Sequence, residues 1–325
     1  MAVYQGGELL AEVVRSGFVE GRHLGSVAVL GADGTLVASA GDPHGPIFPR
    51  SSNKPMQAVG MLRAGLRLPD PGDLALVAAS HFGEPPHIER VRAMLRTGGL
   101  SPLTDLRCPP ELPLGEAARA GVLRAGDGPQ RIYMNCSGKH AGMLLTCLVD
   151  GWPTDDYRAV DHPLQVTLRD TVAELAGEAP AATGVDGCGA PVLALSLAGL
   201  AGAFLRLVTA PVGSAERTVA DAMRAHPELV SGTGADDARL MRGVPGLLSK
   251  GGAEGVLAMA IPAVGAVAIK IDDGALRARM PVAVAALRRL GVAADAFDDV
   301  APVPLLGGGV PVGAVRAAGW AAGDP

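Results

Sequence analysis

LGSVAVLGADGTLVASA, residues 24–40, holds two apolar, β-branched runs, Leu24–Leu30 and Thr35–Ala40, around Ala32-Asp33-Gly34. An Asp-Gly step between such runs predicts a β-hairpin, because the glycine accepts the backbone conformation that a tight turn between twisted strands requires. Outward from it, Leu9–Val14 reads as a further strand, and Gly255–Ile261 and Gly265–Ile271 read as strands near the other end of the chain. The middle has a different period. A helix is expected to begin near Ser52, with Pro55 in its first turn, where a missing N–H costs nothing. Met56, Val59, Leu62 and Leu66 follow at helical spacing. Asp161-His162-Pro163 opens another helix with Leu164, Leu168, Val172 and Leu175 along one face and Gly177 at its end. Pro191–Leu207, Ala215–Ala225 and Pro281–Leu290 also read as helices. Strands at both ends around a helical middle predict an α+β architecture, with the N- and C-terminal strands sharing one antiparallel sheet beside the central helices. The whole chain, 1–325, reads as a single domain. Residues 1–50 and 250–325 form its sheet lobe, with a C-terminal helix, and 51–249 a mainly helical lobe.

The chain has 325 residues, of which 48% are hydrophobic and only 3% aromatic, so its core must be built from aliphatic side chains and close backbone approaches. The net charge is -5 and there is no basic stripe, which argues against a nucleic-acid partner. The longest apolar stretch, Gly255–Ile269, is too short for a membrane span and is interrupted by Pro262 and Gly265. MAVYQGGELLAEVV lacks the charged and apolar regions of a signal peptide. A soluble, cytoplasmic protein is expected. The cysteines stand at 108, 136, 147 and 188. In a reducing compartment a cysteine with a special role is a ligand or a nucleophile, and otherwise a small buried hydrophobe.

Chemistry concentrates in a few short motifs. Ser51-Ser52-Asn53-Lys54 is a Ser-x-x-Lys at a helix start, a spacing that brings the lysine amine near the serine hydroxyl. A lysine desolvated there can accept the serine proton, and the helix N-terminus favours developing negative charge. The plain alternative is a capped helix with a solvated lysine. Ser80-His81-Phe82-Gly83 ends the apolar run Leu74–Ala79, so its serine faces a cleft or caps the next element. Asn135-Cys136-Ser137-Gly138-Lys139-His140 and Asp186-Gly187-Cys188-Gly189 supply two thiols that, with one nitrogen, suit Zn²⁺. On composition alone His140 is the nitrogen donor, and two buried thiols in tight turns are the alternative. Ser249-Lys250-Gly251-Gly252-Ala253-Glu254-Gly255 offers either close backbone approach and N–H donors for an oxyanion, or a flexible connection. Lys270, within AVGAVAIKIDDG, lies either on a solvated face or paired in the interior; its small alternation partners Val264, Ala266 and Ala268 leave room for an inward lysine lining a cavity.

Taken together, RSSNKPMQ (50–57), SHFGEPPH (80–87), NCSGKHAGM (135–143), GVDGCGAP (184–191), SKGGAEGV (249–256) and IKIDDGALRA (269–278) resemble the Rhizobium-type L-asparaginases, in the family's order and over most of the chain. The resemblance implies a fold similar to serine β-lactamases and penicillin-binding proteins. It implies two Ser–Lys pairs, Ser51 with Lys54 and Ser80 with Lys270. It also implies a zinc ion, structural or substrate-orienting, on Cys136, Lys139 and Cys188, with Asp186 close by, which replaces His140 by Lys139 as the nitrogen ligand. The expected reaction is hydrolysis of L-asparagine to L-aspartate and ammonia. Ser51 is its nucleophile, Lys54 the base, the second pair relays protons or orients the amide, and Arg50 and Asp186 contact the substrate. A glutaminase or another serine acyl hydrolase shares this scaffold. A non-catalytic, zinc-stabilised binding protein would need neither serine. A homodimer is expected.

Overall fold

The computed structural model describes residues 3–322, so 1–2 and 323–325 of the expected domain lie outside the described residues. The hairpin read from residues 24–40 forms. Its first strand is longer than expected: β1 (Glu8–Arg15), β2 (Phe18–Gly31) and β3 (Leu36–Ala40) open the chain. β4 (Leu248–Gly251), β5 (Val256–Ile261), β6 (Gly265–Ile271), β7 (Val303–Gly307) and β8 (Val310–Ala317) complete the same sheet from the other end. The spatial order is β7-β8-β1-β2-β6-β5-β4, with β3 also on β2. Every pair is antiparallel.

β5 and β6 read as continuous apolar runs because both faces of the sheet are covered there. Helix Leu197–Thr209 lies against β2, β5 and β6, and helix Arg279–Arg289 packs on β6 and β8 from the C-terminal side. Leu200, Phe204 and Leu207 are fully buried, as are Val282 and Ala283. Burying each large aliphatic side chain contributes roughly 1.5–3 kcal/mol. The remaining helices, including α1 (Lys54–Arg63), α2 (Pro71–Val77), α3 (Pro85–Thr97), α4 (Ser137–Asp150) and α5 (Pro163–Ala176), make up the central lobe. Among the described residues no helix is long and apolar enough to cross a membrane.

Four expectations change. Residues 50–53 form a 3₁₀ turn, and α1 starts at Lys54 with Pro55 in its first turn; Leu66 lies past the helix end yet is buried. The helix expected over Pro191–Leu207 begins only at Leu197. Before it, Pro191–Leu193 pairs with Thr183–Val185 as a hairpin and Leu195–Ser196 pairs with Pro46–Ile47. The switch is set by Ser196, whose hydroxyl caps Gly199 N–H at 2.9 Å while Glu178 accepts the Ser196 amide at 2.6 Å. The segment from 248 to 251 is a buried strand, not a flexible connection. The C-terminal hairpin β7–β8, half-exposed and glycine-bearing, has too weak an alternation to be read from the chain.

Gly25 sits where β2 passes between Glu8 of β1 and Ile271 of β6. A Cβ there would lie 2.2 Å from the Lys270 carbonyl oxygen and 3.1 Å from the Ile271 Cα. Backbone on that side cannot yield cheaply. Gly25→Ala is therefore expected to lose about 2 kcal/mol or more of stability, seen as a lower denaturation midpoint. An unchanged midpoint would show that the sheet relaxes freely at this crossing.

Candidate active site

The site is assembled where the turn before α1 meets the edge strand β4. Arg50 holds a left-handed backbone, φ 52°, a conformation that costs an L-residue roughly 1–2 kcal/mol. Neighbouring contacts hold it there. Arg50 Nε donates to Asp186 Oδ1 at 2.7 Å, and its guanidinium lies 3.8 Å from Glu254 Oε1. Ser52 is completely buried and donates its hydroxyl to the Lys250 carbonyl at 2.8 Å, tying the turn to β4. That approach requires Gly252, since a Cβ there would lie 2.4 Å from the Pro49 carbonyl oxygen. The glycine-rich motif does not present Gly251 and Gly252 to an oxyanion. The Gly251 amide is spent on Asp237 Oδ2 and that of Gly252 on the Val256 carbonyl.

The lysines pair differently from the sequence expectation. Lys54, 1% exposed, hydrogen-bonds through Nζ to Ser80 Oγ at 2.9 Å and donates to the Ala79 carbonyl at 2.5 Å. Ser51 is half-buried, and among the described residues nothing hydrogen-bonds its hydroxyl. Ser80 is not joined to Lys270, which lies at the end of β6 and clamps the carbonyls of Glu254 at 2.6 Å and Ile271 at 2.8 Å. The second interior lysine is Lys250, 1% exposed, whose amine donates to the Gly251 carbonyl at 2.7 Å. Burial above all, with Lys54 and Arg279 beside it, brings its pKa down to about 7 against the pull of Asp237.

Ser80 is presented by a rigid loop. Its amide donates to the Val230 carbonyl, and the next amide, of His81, donates to that of Asn135. Ser137 gives its proton to the Ile132 carbonyl, so at 2.8 Å it accepts from His81 Nε2. His81 stacks on His87 with ring centroids 5.2 Å apart. Burial keeps both rings neutral by pushing their pKa values down, that of His81 furthest. Glu84 closes the loop by accepting both the amide and the hydroxyl of Thr233 at 3.0 Å.

Cys136, at the N-cap of α4, points its thiol at Asn135 Oδ1, 3.1 Å away, and lies buried beside Cys188. Lys139, one turn along α4 and 2% exposed, donates to Cys188 Sγ at 3.2 Å. Asp186 Oδ2 lies 3.9 Å from the same sulfur. The neighbouring Cys136 sulfur, aided by Lys139, holds Cys188 far below the ordinary thiol range as a thiolate. The same pairing pushes the Cys136 thiol up, so it keeps its proton. Burial opposes the Lys139 ammonium, yet the sulfurs and Asp186 keep it charged. His140 Nδ1 lies 2.6 Å from the Tyr157 hydroxyl, and that oxygen accepts the Arg107 amide at 3.1 Å. Tyr157 therefore donates to Nδ1, leaving hydrogen on Nε2, which has no well-formed hydrogen bond. With that ring nitrogen protonated, His140 faces the cluster as a donor. Cys108 and Cys147 are ordinary buried thiols, each pushed up to about 12 by burial.

Electrostatic coupling joins the two clusters, since Cys136 interacts with both Lys54 and Lys250. Sequence reasoning missed Asp237 and Tyr157 entirely, gave Ser52 no part beyond the helix start, and valued the SKGG motif for its glycines when Lys250 is its buried amine. The signal available was Leu247 and Leu248 directly before Ser249-Lys250, an apolar lead-in that argues for burial. Surface hollows lined by Glu228, Arg239 and Arg242, and by Arg63, Trp152 and Glu174, share no residue with this site.

The model of the L-asparaginase II family matches residues 11–317. No curated protein sequence matches the chain. Among solved structures it is similar to Mglu in its native form, at 15% identity and a TM-score of 0.44, covering 82% of this chain and 64% of that one. It is also similar to a β-lactamase from Mycobacterium bovis, at 17% identity and a TM-score of 0.45, covering 77% and 88%. A Bacillus glutaminase follows at 11% identity and a TM-score of 0.40, covering 76% and 83%. The chain thus spans a little under two thirds of the length of Mglu.

A lysine that is neutral in the fold but charged when unfolded makes stability depend on pH. Between about pH 7 and the unfolded lysine value near 10.4, the unfolded chain holds one more proton at this position, so stability rises with pH through that window. Below it the folded state carries the full cost of a buried ammonium. Lys250→Met is therefore expected to be more stable than the parent by on the order of 1–4 kcal/mol at pH 6, with the gap narrowing toward pH 10. Urea titrations across pH check this, and a pH-independent gap would mean that Lys250 stays charged in the fold.

Proposed function

The chain belongs to the L-asparaginase II family, and from that premise we propose that this amidohydrolase converts L-asparagine and water to L-aspartate and ammonia. The observation that carries the reading is Lys54, buried, hydrogen-bonded to Ser80 at 2.9 Å and standing one helical turn from the open hydroxyl of Ser51. Ser51 is the nucleophile. Its oxygen attacks the side-chain amide carbon while its proton passes to the Lys54 amine. Lys54 then delivers a proton through Ser80 Oγ to the leaving nitrogen, the C–N bond breaks, and ammonia departs. Water next attacks the Ser51 ester, giving its proton to Lys54, and Lys54 passes that proton to Ser51 Oγ as the C–O bond breaks, releasing aspartate and restoring both serine and lysine.

Lys250 sets the proton balance of this path. Lys250 loses its charge near pH 7, so above that pH no second buried ammonium beside Lys54 opposes the positive charge that moves inward with the serine proton. The lysine expected in this role, Lys270, instead positions the 252–255 loop through the Glu254 carbonyl. Arg50 and Asp186 flank Ser51 as an ion pair, one group for an α-carboxylate and one for an α-ammonium. Such a pair complements a zwitterionic amino acid, and it places the substrate's side-chain amide beside Ser51.

Cys136, Cys188 and Lys139 suit a soft divalent cation, since two converging thiols and one nearby amine are the donor types that zinc prefers. Among the described residues no group of three or more His, Cys, Asp or Glu could hold a metal, and Lys139 is the nitrogen donor that stands against Cys188. Zinc held by Cys136, Lys139 and Cys188 would supply a fixed positive charge near the substrate and would cross-link α4 to the 186–189 turn. Lys139 must lose its proton to bind, so affinity rises with pH.

Ammonia release should be well faster per unit concentration from L-asparagine than from L-glutamine, by roughly ten- to two-hundred-fold in kcat/KM for one methylene. Equal or greater turnover of glutamine would move the assignment to a glutaminase. Ser51→Ala and Lys54→Met should each nearly abolish turnover, and the double variant should cost little more than either alone. Mass spectrometry of a trapped acyl-enzyme should find the label on Ser51, whereas a label on Ser80 would exchange the two serines' roles. Elemental analysis should find about one zinc per chain, in line with a closed thiolate site. Cys136→Ser or Cys188→Ser should lower that content and Cys108→Ser or Cys147→Ser should not. A zinc-free protein from metal-replete expression would remove the ligand assignment.

A further inference from the structure

Asp237 lies in the first turn of helix Asp236–Gly243, is 8% exposed, and belongs to none of the motifs read from the sequence. Its carboxylate accepts the Ser249 hydroxyl at 2.6 Å through one oxygen and the Gly251 amide at 3.0 Å through the other. These two residues bracket Lys250. β4 is the last strand of the sheet, paired only with β5, so the outward backbone donors of this edge need another partner. One carboxylate grips the strand on both sides of the lysine. Alternate residues of a strand face opposite sides, so Ser249 turns toward Asp237 while the Lys250 side chain leaves by the other face toward Lys54.

We propose that Asp237 is a positioning residue for Lys250: it clamps the free edge of β4 at residues 249 and 251 and sets a negative charge behind the lysine that the proton path depends on. The inference rests on the reading of Lys250 given above and extends it. Each neighbour of the amine acts in a definite direction. Asp237 favours its charged form, Lys54 and Arg279 oppose it, and Cys136, which keeps its proton, adds no full charge. Arg279 is itself held by the carbonyls of Gly252 and Val256 at 3.2 Å, so this positive charge is fixed in place. Without Asp237 the positive neighbours prevail, and Lys250 would remain neutral to lower pH. The carboxylate thus keeps the lysine from becoming a permanently neutral amine, so that it titrates near the working pH.

Asp237→Asn separates charge from bracing. The asparagine oxygen still accepts the Gly251 amide, and its NH₂ donates to a Ser249 hydroxyl that rotates to accept, so both bonds to β4 survive. With asparagine as substrate, the acid limb of the kcat/KM profile is expected to move to lower pH, by on the order of half a pH unit or more. The Lys250 amine, followed by NMR of ¹⁵N-lysine-labelled protein and assigned with Lys250→Met, should shift in the same direction. Asp237→Ala, which removes the clamp as well, should lower kcat at least tenfold at every pH. If Lys250→Met abolishes the acid limb but Asp237→Asn leaves both limb and resonance unmoved, Asp237 is only an edge cap and the inference fails. If Lys250→Met keeps the parent's acid limb, the assignment of Lys250 to the proton path fails instead, whatever Asp237 does.

Discussion

Burying three lysines in one cleft is the constraint from which the rest of this structure follows. Lys54, Lys139 and Lys250 are among the largest completely buried side chains, in a protein whose core is otherwise aliphatic. An isolated buried ammonium costs several kcal/mol, so each amine needs a partner or must lose its charge. The three take different routes. Lys139 is balanced by the Cys188 thiolate, Lys54 is held by the Ala79 carbonyl and the Ser80 hydroxyl, and Lys250 gives up its proton near neutrality. Three chemically identical side chains thereby acquire distinct behaviour from their surroundings alone.

Those surroundings come from segments far apart in the chain. The 3₁₀ turn at 50–53 brings Ser51, β4 brings Lys250, the loop after α2 brings Ser80, and the start of α4 brings Cys136 and Lys139. Close backbone approach makes the junction possible. Gly252 lets β4 reach the Pro49 carbonyl, and Ser52 then stitches the two together. The left-handed backbone at Arg50 is the local cost of this meeting, offset by its bond to Asp186. Strain of this kind persists only where neighbouring contacts over-determine the geometry.

Much of the polar chemistry serves to keep other groups in place. His81 and His87 remain neutral and hold the Ser80 loop, Tyr157 fixes the tautomer of His140, and Lys270 ties the 252–255 loop to β6. A histidine or lysine in a conserved-looking run is thus no guide to chemistry until its hydrogen bonds are known. Lys270 and Lys250 show this well, since both stand beside apolar strands. One is spent on carbonyls at a strand end, and the other is sealed in the interior beside a second lysine.

Local pattern was enough for the hairpin at 24–40, the paired strands at 255–271, α5 with its glycine end, and the α+β class, because strand and helix periodicity is written in neighbouring residues. The motif runs 50–57, 80–87, 135–143, 184–191 and 249–256 named the segments that meet and the family to which the chain belongs. What they did not contain was which side chain meets which. Ser80 takes Lys54, not Lys270, because an amine at the first residue of α1 reaches across to the end of the Leu74–Ala79 run, a contact between residues 26 apart. Pro191–Leu193 is a strand although its residues suit a helix, because Thr183–Val185 is there to pair with it. Only the tertiary structure decided that Lys250 titrates near pH 7, since that depends on burial and on the charges of Lys54, Arg279 and Asp237, which only folding brings together.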